Sequence, residues 1–356
     1  MSKITVAVLF GGVSSEHDVS LLSASSVIKN IPAEKYDVVM VGITKEGKWL
    51  RYTGDPAMLP QSGWLKNCEN LTPAVISPDR TTKGLLVLEK DGWKTIPVDV
   101  VFPVLHGKNG EDGTMQGLLE LAGIPYVGCG VLSSAMCMDK AVAHMVLEHA
   151  GIPMAKWELV RTHEMNEFDA VAQRLENAFP YPMFVKPANA GSSVGVSKAK
   201  DRSGLRNALE IAFKEDSKVI VETTIVGKEV ETAVLGNFDA AAAQVIGELT
   251  PAAEFYDYNA KYIDGTTELH IPARISEEMA AKLRELAVKA YKALDCKGLT
   301  RVDFFALEDG SVILNELNTL PGFTSISMYP KLWEASGVPY SELLDKVIGY
   351  ALESKA

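Results

Sequence analysis

Two apolar runs near the carboxyl-terminal end carry charged and amide side chains two residues apart. In LTRVDFFAL these are Arg301 and Asp303, and in VILNELN they are Glu316 and Asn318. Side chains two apart on a strand leave the same face, so each run presents a polar pair beside Val, Ile, Leu and Phe. Burying three oxygen-bearing side chains and a guanidinium there is costly unless an ion binds among them. Hard oxygen donors without His or Cys select Mg²⁺ or Mn²⁺, and magnesium held by few protein ligands completes its shell with substrate phosphates. The plain alternative is an exposed sheet edge with a wet face.

A phosphate reading has a second source in FVKPANAGSSVGVSK. Lys186 closes a strand-like run, and Gly191 to Gly195 form a Gly-Ser-Ser-x-Gly turn. Small residues let backbone N–H groups approach a phosphate, and two hydroxyls add donors. Taken alone, the same turn reads more readily as a flexible hairpin tip. No G-x-x-x-x-G-K-[ST] motif occurs, so a phosphate site here is not a P-loop. Gly128, Gly130 and Ser133 give only a broken form of the dinucleotide fingerprint. Glu16, in a first helical turn, suits a partner for the helix dipole. His106 at a strand end suits packing, and EFYDYNAKY reads by itself as an aromatic surface loop.

These residues need elements to position them. The run from Ile4 to Phe10 ends at Gly11-Gly12 and leads into a helical pattern through Val19, Leu22 and Val27. Strands at Tyr36–Ile43 and Val98–Leu105 have the continuous apolar character of a parallel sheet covered on both faces. In such a doubly wound α/β lobe ligands sit beyond the carboxyl ends of the strands, where Gly11-Gly12 and His106-Gly107 fall. Helices are expected around Met115–Ala122 and Met138–Ala150. From Met183 onward short strands (MFVKP, KVIVET, EVETAVLG) alternate with glycine turns, an α+β pattern. The last third should hold a helix over Ser276–Leu294, strands over Leu299–Leu307 and Ser311–Leu317, and a terminal helix.

The length of 356 residues, with 47% hydrophobic residues, allows two or three domains with a sizeable core. A formal net charge of −11 argues against a nucleic-acid partner and favours a small-molecule one. The four cysteines, Cys68, Cys129, Cys137 and Cys296, form no C-x-x-C pair and read as buried thiols in a reducing cytosol. No signal peptide or membrane-spanning run is apparent, so a cytoplasmic location is expected.

Taken in order, GGVSSEHDVS, HGKNGEDGTMQGLLE, GIPYVGCG, MDK, VKPANAGSSVGVSK, EFYDYNAKY, RVDFF and NELNTLPGFT resemble the D-alanine–D-alanine ligases of the ATP-grasp superfamily, nearly end to end. The resemblance implies an ATP-grasp fold behind a doubly wound, Rossmann-like α/β domain. Its divisions would be 1–127 for the first D-alanine, 128–227, and 228–356 for metal and acceptor, with ATP between the last two. It implies ATP as co-substrate, two Mg²⁺ or Mn²⁺ ions per site, a homodimer, and a product for peptidoglycan synthesis.

Carried over residue by residue, the resemblance puts Lys140, Lys186 and Ser193 on the nucleotide phosphates, Glu222 on the adenine amino group and Glu229 on the ribose. Ile225 would form the adenine wall. Asp303, Glu316 and Asn318 match the metal ligands. Glu16 would accept the first substrate's ammonium, with His106 near it. Arg301 and the Gly322 backbone N–H would face the developing charge. Ser327 and Met328 would border the acceptor's carboxylate. Lys261 would lie near the acceptor, and Tyr262 would join Ser192 and Glu16 in drawing Glu254–Asp264 over the site as a lid. Three rivals remain at this point: a D-alanine–D-serine ligase of the same family, a bilobal amino-acid-binding protein, and a nicotinamide-dependent dehydrogenase.

Overall fold

The computed structural model describes residues 2–250, 268–324 and 326–353. Lys261, Tyr262 and the expected lid over Glu254–Asp264 lie outside them.

The first sheet starts from the apolar run at the amino terminus. Strand β1 (Ile4–Gly11) is buried along most of its length and pairs in parallel with β2 (Tyr36–Ile43), Ile4 opposite Tyr36. Between them α1 (His17–Asn30) packs its buried residues Leu21, Ala24 and Val27 onto the sheet. The chain then runs through β3 (Trp49–Tyr52), β4 (Leu71–Ile76), β5 (Gly84–Glu89) and β6 (Gly92–Pro97) before β7 (Val100–Val104) returns beside β1. The strand order is β6-β5-β4-β3-β2-β1-β7. Only β2, β1 and β7 are parallel, and the rest is an antiparallel extension that the sequence reading did not anticipate.

Helix α2 (Thr114–Ala122) follows as expected, and the helix expected over Met138–Ala150 is α4 (Lys140–His149), preceded by a short helix α3 (Val131–Met138) that the sequence reading did not name. The break between the two is Asp139, which is extended (φ −87°, ψ 97°) and accepts from the Val142 N–H, capping α4.

A second, antiparallel sheet has the order β10-β9-β11-β8, built from β8 (Trp157–Arg161), β9 (Met183–Pro187), β10 (Ser197–Ala199) and β11 (Lys218–Thr223). Helices α5 (Phe168–Ala178) and α6 (Arg202–Ala212) bury Leu175 and Leu209 against Val185 and Val219. The third sheet is centred on β12 (Lys228–Gly236), with β13 (Ala241–Ala242), β14 (Gly247–Thr250) and β15 (Glu268–His270) on one side. On the other side lie β16 (Gly298–Ala306) and β17 (Val312–Asn318). Helix α7 (Glu277–Ala293) covers it through Leu283, Ala287 and Tyr291. The last helices, α8 (Met328–Ala335) and α9 (Tyr340–Glu353), turn back to the first sheet, where Leu343, Val347 and Ile348 share a core with Val8 and Phe102.

Candidate active site

The polar pairs read from β16 and β17 do share one face. Thr300, Val302 and Phe304 point into the core, leaving Arg301, Asp303 and Phe305 on the other side. On β17 a register shift beside Asp303/Phe304 changes the phase of the alternation. Val312 and Leu314 are buried before it and Leu317 after it, so Ile313, Glu316 and Asn318 share the cavity face. A regular strand would have turned Glu316 and Asn318 away from Ile313. The extra residue is Asn315, whose Oδ1 accepts from Lys186 Nζ at 3.3 Å.

On this face Arg301 makes a two-pronged contact with Asp303, Nε to Oδ1 at 2.8 Å and Nη2 to Oδ2 at 2.7 Å. Glu231 on β12 lies 3.1 Å from Nε, and Asn318 Nδ2 donates to Asp303 Oδ2 at 3.0 Å. Burial works against the Arg301 charge, and Asp303 and Glu231 outweigh it, holding the guanidinium well above its usual pKa. Lys140, the first residue of α4, donates to the Ala190 carbonyl at 2.7 Å and lies 3.8 Å from Glu316. Lys186 at the end of β9 pairs with Glu222 at 2.6 Å. Burial alone would lower the Lys186 pKa, but the carboxylate raises it above the ordinary value.

Two cavities open on this face. The larger, about 830 Å³, takes in Lys186, Ser193, Glu222, Ile225, Glu229 and Asp303. The smaller, about 330 Å³, takes in Glu16, His106, Asn318, Gly322, Ser327 and Met328. Lys140, Ser192, Arg301 and Glu316 line both.

At the mouth between them Ser192 donates to the Glu16 carboxylate. Ser192 and Ser193 sit at φ 50° and 59°, the left-handed region, so the Gly-Ser-Ser turn is a tight loop over the site rather than an open hairpin tip. His106 is buried, and both ring nitrogens are engaged. A carbonyl can only accept, so Nδ1 donates to Leu320 O at 3.0 Å and Nε2 takes the Ser23 hydroxyl at 3.1 Å. The ring thus fastens the loop after β17 to α1, and its burial lowers its pKa. Ser327 Oγ accepts from the Thr324 N–H at 3.0 Å, just before α8.

Family models match both halves of the chain, one described as D-ala D-ala ligase N-terminus over residues 5–129 and one as D-ala D-ala ligase C-terminus over residues 146–349. The D-alanine–D-alanine ligase of Caldicellulosiruptor bescii is 53% identical, the match covering 99% of this chain and 96% of that protein. That of Clostridium acetobutylicum is 47% identical, covering 98% of each.

The chain belongs to the D-alanine–D-alanine ligase family.

Among solved structures, the VanG D-Ala:D-Ser ligase from Enterococcus faecalis superposes with a TM-score of 0.89 at 44% identity, covering 98% of this chain and all of that one. The D-alanine–D-alanine ligase from Coxiella burnetii gives 0.86 at 35% identity, covering all of this chain and 95% of that one. Membership in this ATP-dependent family sets aside the dehydrogenase and binding-protein readings, and the ATP-grasp fold class read from the sequence stands.

Besides Glu231 and Asn315, two further residues at the site escaped the sequence reading. Glu111, in the loop before α2, accepts from the Gly107 N–H at 2.7 Å and the Leu320 N–H at 3.2 Å. Enclosure by protein, then the neighbouring Glu16 charge, pushes its carboxyl up to about 8. The only signal was a glutamate inside a glycine-rich loop. His144, beneath Glu222, was the other. Of the cysteines, Cys129, Cys137 and Cys296 are buried as expected, whereas Cys68 is exposed. No helix among the described residues is long and apolar enough to cross a membrane.

Proposed function

We propose that this ligase joins two D-alanine molecules into D-alanyl-D-alanine, a peptidoglycan precursor, with ATP converted to ADP and phosphate. The observation that carries the reading is the pair of cavities, one of nucleotide size, sharing Lys140, Ser192, Arg301 and Glu316. That junction is where the terminal phosphate of ATP and the carboxylate of an amino acid would meet.

The carboxylate of the first D-alanine attacks the terminal phosphorus and ADP leaves, giving D-alanyl phosphate. The amine of the second D-alanine then attacks the acyl carbon, loses a proton, and expels phosphate. Such transfers need positioning and charge neutralisation more than covalent help. In this reading Lys140, Lys186 and the Ser193 hydroxyl hold phosphate oxygens. Glu222 accepts from the adenine amino group, Ile225 walls the base and Glu229 holds the ribose. Glu16 takes the first ammonium with His106 behind it. Arg301 and the Gly322 N–H face the oxyanion, while Ser327 and Met328 border the second carboxylate. Tyr262 and Lys261 belong to the same proposal on the family resemblance alone, as lid and acceptor residues.

Asp303, Glu316 and Asn318 are our candidates for holding magnesium. The donor set fits a hard cation, because Asp303 Oδ1, engaged once by Arg301, keeps a second lone pair, while Oδ2 already accepts from Arg301 and Asn318. Bound there, the ion would supply neutralisation of phosphate charge. A cytoplasmic location suits the need for ATP, and a homodimer follows from the family resemblance, to be tested by light scattering.

The similarity to a D-Ala:D-Ser ligase supplies the second reading, with D-serine as acceptor. A coupled ADP-release assay across D- and L-amino acids, with product masses recorded, separates the two. D-alanine alone should release ADP and yield the dipeptide, and L-alanine should be inert. A mixed D-alanyl-D-serine product dominating in competition would replace the first reading.

A further inference from the structure

The carboxylate of Glu222 is held from two sides. Lys186 Nζ lies 2.6 Å from Oε2, and His144 Nε2 lies 3.3 Å from Oε1. His144 sits on α4, four residues after Lys140, and is only 3% exposed. Its ring stands edge-on to Trp157, with centroids 5.2 Å apart and planes at 83°. A carboxylate offers only acceptors, so the contact places the imidazole proton on Nε2. Burial first, and Lys186 and Lys140 after it, keep the ring neutral against the opposing pull of Glu222 and Glu148.

The other nitrogen, Nδ1, is buried with no hydrogen-bond partner among the described residues. A leucine or phenylalanine would fill the space under Trp157 without leaving a buried acceptor unsatisfied. What imidazole adds is a polar N–H edge 3.3 Å from the Glu222 carboxylate.

We propose that His144 is a positioning residue for the nucleotide. By holding Oε1 while Lys186 holds Oε2, it fixes the plane of the Glu222 carboxylate so that free lone pairs face the base edge. An adenine amino group meets an aligned acceptor there, whereas the carbonyl of guanine in the same place meets a carboxylate and is repelled. His144 therefore sets both ATP affinity and the preference for ATP over GTP, without touching the nucleotide. The proposal rests on the assignment of Glu222 to adenine made above.

The test compares His144→Leu, His144→Gln and Glu222→Gln in the full-length enzyme, with KM for ATP, KM for D-alanine, kcat and the ATP-to-GTP ratio of kcat/KM measured. His144→Leu should raise KM for ATP about tenfold, the scale of a lost polar contact to a charged group, and narrow the ATP-to-GTP ratio. Its kcat at saturating ATP and its KM for D-alanine should stay within about twofold, since His144 touches neither substrate nor phosphate. His144→Gln carries an amide donor at similar reach and should recover most of the ATP affinity. If the leucine variant does not fold, His144→Asn, too short to reach Glu222, takes its place with the same expectation. An unchanged KM for ATP in the leucine variant, or equal impairment in the leucine and glutamine variants, overturns the proposal. An unchanged KM for ATP in Glu222→Gln instead removes the Glu222 assignment beneath it, so the two failures are distinguishable.

Discussion

Ser192 donates its hydroxyl hydrogen to the carboxylate of Glu16 across 176 positions of sequence. One end of this bond is the tight loop after β9, and the other is the entry to α1 at the carboxyl edge of the first sheet. Ser192 lines both cavities and Glu16 the smaller one, so the bond fixes the Glu16 carboxylate at the site where we propose that the first ammonium binds.

Breaking that bond should loosen substrate more than it loosens the fold. A hydrogen bond to a charged group contributes about 1.5–3 kcal/mol, so Ser192→Ala should lower kcat/KM for D-alanine at least about tenfold. It should also raise ATP hydrolysed per dipeptide formed if the loop shields the acyl phosphate from water, as the proposed reaction requires. Steady-state kinetics with phosphate and dipeptide counted separately provide the check, and a ratio that stays at one phosphate per dipeptide would count against the shielding role.

Gly191 offers a gentler probe of the same contact. A Cβ added there would come 2.7 Å from Glu16 Oε2, yet the backbone is not in the left-handed region, so alanine is tolerated locally. Only the tip of the Glu16 side chain has to move. Gly191→Ala should leave the melting temperature within about 2 °C of wild type, a cost of well under 1 kcal/mol, while KM for the first D-alanine rises several-fold. A drop in melting temperature with unchanged KM would mean the loop, not Glu16, absorbed the strain.

Removing charge from the β16–β17 face should be far more damaging. Asp303→Asn takes a carboxylate from Arg301 and from the proposed magnesium site together. Turnover should fall on the order of 10²–10³-fold, as when preorganised charge stabilisation is lost, and Glu316→Gln should behave similarly. Chelation of divalent ions should silence the wild type, with magnesium restoring it. Near-normal activity of both variants at saturating magnesium would discard the metal assignment.

The contrast between these sites and the residues missed shows what a sequence makes legible. Arg301 and Asp303 were readable because a strand has a period of two, and two residues apart means one face. The bulge at Asn315 was not, since the alternation of VILNELN breaks only where β17 meets β16. Strands β3 to β6 went unread because they are short and partly exposed, although Asp91-Gly92 between two β-rich runs marks their last hairpin. Glu111 and His144 act through partners 209 and 78 residues away, Leu320 and Glu222, and no local pattern encodes such pairings.

Glu111 also gives the molecule a specific pH response. Its folded-state pKa, about 8, lies above that of an unfolded glutamate. The folded protein therefore binds this proton more tightly, and the stability it contributes is lost as pH rises from about 4.5 through about 8. Ligand-free wild type should lose melting temperature relative to Glu111→Gln between pH 6 and 9, because glutamine cannot ionise. Parallel melting curves of the two proteins against pH across that window would show that Glu111 does not titrate there.

The proposed reaction passes through a D-alanyl phosphate formed from ATP and the first D-alanine, and one measurement reaches it directly. D-alanine labelled with oxygen-18 in its carboxylate is supplied with unlabelled ATP and magnesium, and the phosphate and dipeptide are weighed by mass spectrometry. If the carboxylate attacks the terminal phosphorus, each dipeptide is accompanied by one ADP and one phosphate carrying a single oxygen-18. Unlabelled phosphate, or label appearing in AMP, would contradict the acyl-phosphate route.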